Sequence, residues 1–152
     1  CALPIFKYAA SKGVKVFYVS NRVIEEKPAT ARNMEKYGFP MGGNVSTLLT
    51  SREQPDWTSA KSTRRAYIAK YYRVLLNIGD NFGAFTDDYR GGEAERLKVM
   101  EAHKGLWGRQ WIMIANPTYG SFESVPYAHN FRLSDDEKRK AKRDALNAWK
   151  GP

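Results

Sequence analysis

Four short runs of β-branched, aliphatic and aromatic residues punctuate the chain: "VKVFYVS" (14–20), "VSTLLT" (45–50), "RVLLNIG" (73–79) and "QWIMIA" (110–115). Segments of helical periodicity separate them. This alternation constrains the fold more than any other feature, because strands joined through a crossover helix lie parallel in one layered sheet. The first helix is read in "LPIFKYAASKG", where Leu3, Phe6, Ala9 and Ala10 form a stripe and Gly13 is the stop. A second lies in "PATARNMEKYGFP", with Ala31, Met34 and Tyr37 on one side and Gly38 and Pro40 at its end. Residues 58–71 read as a basic helix with Tyr67, Ile68 and Tyr71 inward, and residues 93–104 as a fourth. The fifth, 134–150, opens with Ser134 and Glu137 in a capping-box pattern and places Ala141, Ala145 and Trp149 on one face. The expectation is an α/β domain with a mainly parallel sheet flanked by helices. The run 73–79 is continuous enough to be buried on both faces.

In open parallel sheets ligands bind beyond the carboxyl ends of the strands. Those ends carry Ser20-Asn21-Arg22, Asp80-Asn81 and Asn116-Pro117-Thr118-Tyr119. A hydroxyl such as Ser20, with the next backbone N–H, suits a phosphoryl oxygen, although Ser and Asn are also ordinary turn residues. Lys61, at the start of a helix, reaches toward an anion at the strand ends, or belongs to a solvated basic face with Arg64, Arg65 and Lys70. Asp80 follows an apolar run. A carboxylate there suits Mg²⁺, which takes carboxylates, waters and substrate phosphate, or it caps the following turn.

The net charge is +9, from 25 Lys+Arg against 16 Asp+Glu, which favours an anionic substrate or partner over a cationic one. No run approaches the roughly 20 apolar residues of a membrane span. The opening "CALPIFKYAA" lacks the basic n-region and long apolar stretch of a signal peptide. A single cysteine, Cys1, excludes an internal disulfide and is read as incidental rather than lipid-modified, since apolar residues follow it at once. His103 and His129 show no paired metal-ligand spacing and are read as ordinary.

Taken in order and spacing, "VKVFYVSNR", the Lys of "SAKSTRR" and "IGDNFGAF" resemble motifs two, three and four of the haloacid dehalogenase-like phosphohydrolases. More narrowly they resemble the class C acid phosphatases, the bacterial lipoprotein acid phosphatase and nucleotidase family. "WIMIANPTYGSFES" is similar to that family's late strand and substrate loop, and "AKRDALNAWKG" to its C-terminal helix, so the likeness covers nearly the whole chain. The resemblance implies a Rossmannoid sheet in one domain, 1–152, and Mg²⁺-dependent hydrolysis of phosphomonoesters, nucleoside monophosphates among them, through an aspartyl-phosphate. It implies that Ser20 hydrogen-bonds the phosphoryl group, that Lys61 neutralises its charge and that Asp80 ligates Mg²⁺. Asn21 and Arg22, which extend the polar edge at Ser20, are read as substrate contacts, and Tyr119 matches the family's aromatic that packs on a base, or else anchors its loop. The implied location is extracytoplasmic: periplasmic, outer-membrane-attached or secreted, with any membrane attachment through an N-terminal lipid anchor outside this sequence.

Two departures stand beside the likeness. The second motif-four acid, four residues after Asp80, is replaced by Ala84; Asp87 and Asp88 lie close by but read more simply as a turn or cap. No D-x-D occurs in the 152 residues, so the family's nucleophile, general acid and central first strand have no counterpart here. The expectation is a C-terminal part of such a phosphatase, inactive alone, whose sheet a further segment or second chain completes. The rival reading is a non-catalytic basic module for nucleotides or nucleic acid; the phosphatase reading expects no nucleic-acid partner.

Overall fold

The computed structural model describes residues 2–116 and 118–151. Cys1, and Pro117 within the 116–119 loop, lie outside the described residues. Among the described residues the α-helices are α1 (Leu3–Ser11), α2 (Lys27–Lys36), α3 (Ser62–Tyr71), α4 (Glu93–Ala102) and α5 (Asp135–Asp144). Four strands alternate with them: β1 (Tyr18–Val23), β2 (Leu48–Ser51), β3 (Asn77–Gly79) and β4 (Trp111–Met113). The helix–strand order and the parallel pairing agree with the expectation from sequence: β1 pairs parallel with β2 and β3 parallel with β4. The chain divides into two compact units, Cys1–Tyr72 and Arg73–Pro152, each holding one strand pair.

In the first unit β2 is buried along its whole length, and Leu48, Leu49 and Trp57 form the apolar core. Burying each such side chain is worth roughly 1.5–3 kcal/mol. Phe6 of α1 packs edge-on against Tyr18 and beside Phe39, while the Tyr18 hydroxyl donates to Pro40 O at 2.9 Å. Burial pushes the Tyr18 phenol up to about 12.

Glu53 fastens α2 to β2. Its carboxylate accepts from Lys27 Nζ at 2.6 Å and from both the backbone N–H and the hydroxyl of Thr50. Burial alone would raise the Glu53 pKa; the Lys27 and Thr50 donors outweigh it and hold the carboxyl below its usual value. A depressed folded-state pKa stabilises the fold above the unfolded value and loses that contribution as pH falls through the folded one. Glu53→Gln is therefore expected to cost about 1–3 kcal/mol at neutral pH. Thermal unfolding followed from neutral to acid pH should show the gap between variant and parent closing at acid pH.

In the second unit the core is aromatic. Phe85 meets Trp107 at 5.0 Å and Trp111 at 5.5 Å between ring centroids, and Phe82 stacks on Trp107. His103 stacks on Trp111 and bonds Val99 O through Nδ1, and His129 Nδ1 pairs with Ser124 Oγ at 2.7 Å. Both histidines thus have local structural partners.

Several elements differ from the sequence reading. Residues 74–76 were expected inside a doubly buried strand, yet Val74, Leu75 and Leu76 are 42–49% exposed and β3 spans only 77–79. The reason is pairing: among the described residues β3 bonds only to β4, which is three residues long. Tyr67 and Tyr71 of α3 were expected inward but are exposed, and Arg64 takes the fully buried position on that helix. α5 has its capping box, with Glu137 N donating to Ser134 Oγ and Glu137 Oε2 accepting from Ser134 N. It stops at Asp144 rather than 150: Ala145 N makes the last regular bond, to Ala141 O, and Leu146 N turns back more tightly to Arg143 O. Leu146 and Trp149 beyond it are exposed.

Candidate active site

Ser20 was expected to end its strand, with Asn21 and Arg22 just beyond; all three lie within β1 itself, in a break of its register. Val19 pairs with Leu49, but the next paired residue, Val23, meets Ser51. Four steps on β1 thus oppose two on β2, so the three residues bulge out of the ladder. Bulges re-aim side chains and are favoured beside functional sites. Ser51 Oγ lies within donating distance of the Asn21 and Arg22 carbonyls, both at 3.1 Å. Arg22 N donates to Ser20 Oγ at 3.2 Å. A hydroxyl that accepts this bond still has its proton to donate.

Asn21 is tied on both ends of its amide. Nδ2 donates to Ser59 O at 2.9 Å, and Oδ1 accepts from Arg64 at 2.8 Å. Arg22 donates to Thr30 Oγ1 at 3.3 Å. Both side chains are thus engaged in holding the bulge. Lys61 is half-buried at the N-cap of α3, directly after the 58–60 loop that Asn21 and Arg64 fasten. A cavity of about 540 Å³ opens against the bulge, lined by residues that include Asn21, Ser51, Arg52, Thr58 and Ser59, a size suited to small molecules.

The second unit brings Asp80, Asn116 and Tyr119 together. Asp80 directly follows β3 and is exposed. Its Oδ2 accepts from Asn116 Nδ2 at 3.0 Å, while Asn116 Oδ1 accepts from the backbone N–H groups of Thr118 and Tyr119. One asparagine thus links the carboxylate to the loop that presents Tyr119, whose side chain is 67% exposed. Asn81 caps the next turn, accepting from Gly83 N and from Ser121 Oγ at 2.6 Å.

Gly79 explains the tight return of that turn. A Cβ built there would lie 2.4 Å from the Ala84 Cβ, so only glycine admits the approach. Ala84 therefore sits against the end of β3, beside the residue that precedes Asp80. Asp88 N donates to Thr86 Oγ1 at 3.2 Å, so the Thr86 side chain caps the turn that carries Asp87 and Asp88.

Asp80 suits a hard cation in one specific sense. Its carboxylate has lone pairs beyond the one that Asn116 engages. No group of three or more His, Cys, Asp or Glu residues able to hold a metal occurs among the described residues. The Asp80 carboxylate is one donor that a hard divalent cation could take together with waters and phosphate oxygens.

Arg64 was missed in the sequence because a basic residue in "KSTRR" reads as solvated. The available signal was its spacing, three residues after Lys61 and four before Ile68, on one helical stripe.

Residues 1–122 match the family model described as HAD superfamily, subfamily IIIB (Acid phosphatase). The structure is similar to that of the class C acid phosphatase from Bacillus anthracis, with a TM-score of 0.84 and 31% sequence identity over 97% of this chain. The structure of that enzyme with tungstate bound matches with the same values. In both comparisons the chain spans 61% of the other protein's length. The parallel strands flanked by helices are those of the haloacid dehalogenase-type acid phosphatase fold. The chain belongs to the acid phosphatases of subfamily IIIB of the HAD superfamily.

Proposed function

We propose that this chain supplies the phosphate-handling residues of a Mg²⁺-dependent acid phosphatase acting on phosphomonoesters, nucleoside monophosphates in particular. The observation that carries the reading is the Asp80–Asn116–Tyr119 arrangement: a carboxylate at a strand's carboxyl end, coupled through one amide to an exposed aromatic ring. Asp80 would hold the metal, which when bound supplies positive charge against the phosphate oxygens. Ser20 donates its hydroxyl proton to a phosphoryl oxygen, and Lys61 offsets the charge that spreads over the equatorial oxygens. Tyr119 offers a stacking face to the base. The +9 net charge draws the anionic substrate in. The nucleophile in this reading is an aspartate not contained in these 152 residues: its carboxylate bonds to phosphorus as the ester P–O bond breaks and the alcohol leaves with a proton, and water then cleaves the aspartyl-phosphate to release orthophosphate. We place the protein outside the cytoplasm, in line with the class C enzymes. No helix among the described residues is long and apolar enough to cross a membrane.

Tyr119 gives the test. Base–aromatic stacking is worth about 1–3 kcal/mol. Tyr119→Ala in the intact gene product should therefore lower kcat/KM for a nucleoside monophosphate about fivefold or more relative to a phosphate ester without a ring. Equal losses on both substrates would mean that the ring only anchors its loop.

A further inference from the structure

We infer that Arg64 is a positioning residue that locks the Ser20 bulge to the loop carrying Lys61, so that hydroxyl and ammonium meet a phosphoryl group in fixed register. The inference rests on the phosphatase reading and names a residue of the same site. Arg64 is 0% exposed, the most deeply buried charged side chain among the described residues. Its guanidinium donates through one nitrogen to Ser20 O. Through the other it donates to Asn21 Oδ1 at 2.8 Å, Thr58 O at 2.7 Å and Ala60 O at 3.1 Å.

Two segments far apart in sequence are joined by these bonds. Ser20 and Asn21 belong to a bulge that has left the strand ladder, so β2 does not fix them through regular pairing. Thr58 and Ala60 belong to the loop that ends at Lys61. The Asn21 amide closes the circuit by donating to Ser59 O. A planar guanidinium with five donors can serve such divergent acceptors at once; a lysine ammonium at the end of a flexible stem cannot reproduce the fork. Arg64 stands one turn after Lys61 on α3, so the same side chain also fixes where that helix begins relative to β1.

The test compares three variants of the intact gene product with the parent, below their thermal midpoints and with folding checked by circular dichroism. A misplacement of about 1 Å in a catalytic group costs up to about 100-fold. Arg64→Lys is expected to lower kcat about 10- to 100-fold and to weaken inhibition by orthophosphate in parallel. Glu53→Gln, destabilising in the same unit but outside this network, should leave kcat and orthophosphate inhibition nearly unchanged. Asn21→Ser falls at an exposed position and removes both Asn21 ties, to Ser59 O and from Arg64, leaving Arg64 its carbonyl acceptors. It should lower kcat several-fold with little change in KM. A folded Arg64→Lys that retains parental kcat and orthophosphate inhibition would overturn the inference, as would an Asn21→Ser effect confined to KM. Absence of phosphate release by the parent would overturn the phosphatase reading and this inference together; parental turnover with unaffected variants overturns the inference alone.

Discussion

Asp80→Asn in the intact gene product is expected to remove nearly all Mg²⁺-dependent turnover, a loss of about 10²–10³-fold or more. The substitution is nearly isosteric and falls on an exposed side chain, so the fold should survive it. Asn116 Nδ2 would still find an oxygen to bond. What disappears is the negative charge that a hard cation requires. Steady-state kinetics across a Mg²⁺ titration, with the thermal midpoint measured alongside, check the point. Activity within a few-fold of the parent at saturating Mg²⁺ would count against Asp80 as the ligand.

The 152 residues purified by themselves should show no phosphatase turnover and no sharp unfolding transition. The chemical reason is the absence of any D-x-D. The physical reason lies in the strands. Among the described residues β1 pairs with β2 and β3 with β4, so one edge of each strand has no ladder partner there. Val74, Leu75 and Leu76, which immediately precede β3, are nearly half exposed. Each unpaired backbone group that becomes buried costs about 1–3 kcal/mol, against a typical domain stability of about 5–15 kcal/mol. We propose that a further segment or second chain covers these edges in the working protein. Hydrolysis of a chromogenic phosphate ester and calorimetric unfolding of the isolated chain provide the check. Robust turnover would show that the nucleophile lies within these residues, and a cooperative transition from a monomer would show that the open edges are tolerated.

The elements that local chemistry determines were legible. Ser134 and Glu137 announce α5 because a capping box is a contact between neighbours. Gly13, with φ of 76°, closes the α1 end as its freedom from a Cβ permits. Asp80 at the carboxyl end of β3 followed from an apolar run ending in Gly-Asp-Asn. The features that were not legible depend on partners distant in sequence. The Ser20–Arg22 bulge depends on the register of β1 against β2, which no local pattern encodes. Strand lengths at 74–76 depend on how many neighbours β3 has. Arg64 looked solvated because burial of a guanidinium depends on carbonyls gathered from two other segments.

The most direct measurement of the central claim is phosphate release from a nucleoside monophosphate by the intact gene product, with Mg²⁺, after EDTA, and after Mg²⁺ is restored. The expected result is release that chelation abolishes and Mg²⁺ recovers, in the parent but not in Asp80→Asn. Release that EDTA leaves untouched, or no release under any of these conditions, would contradict it.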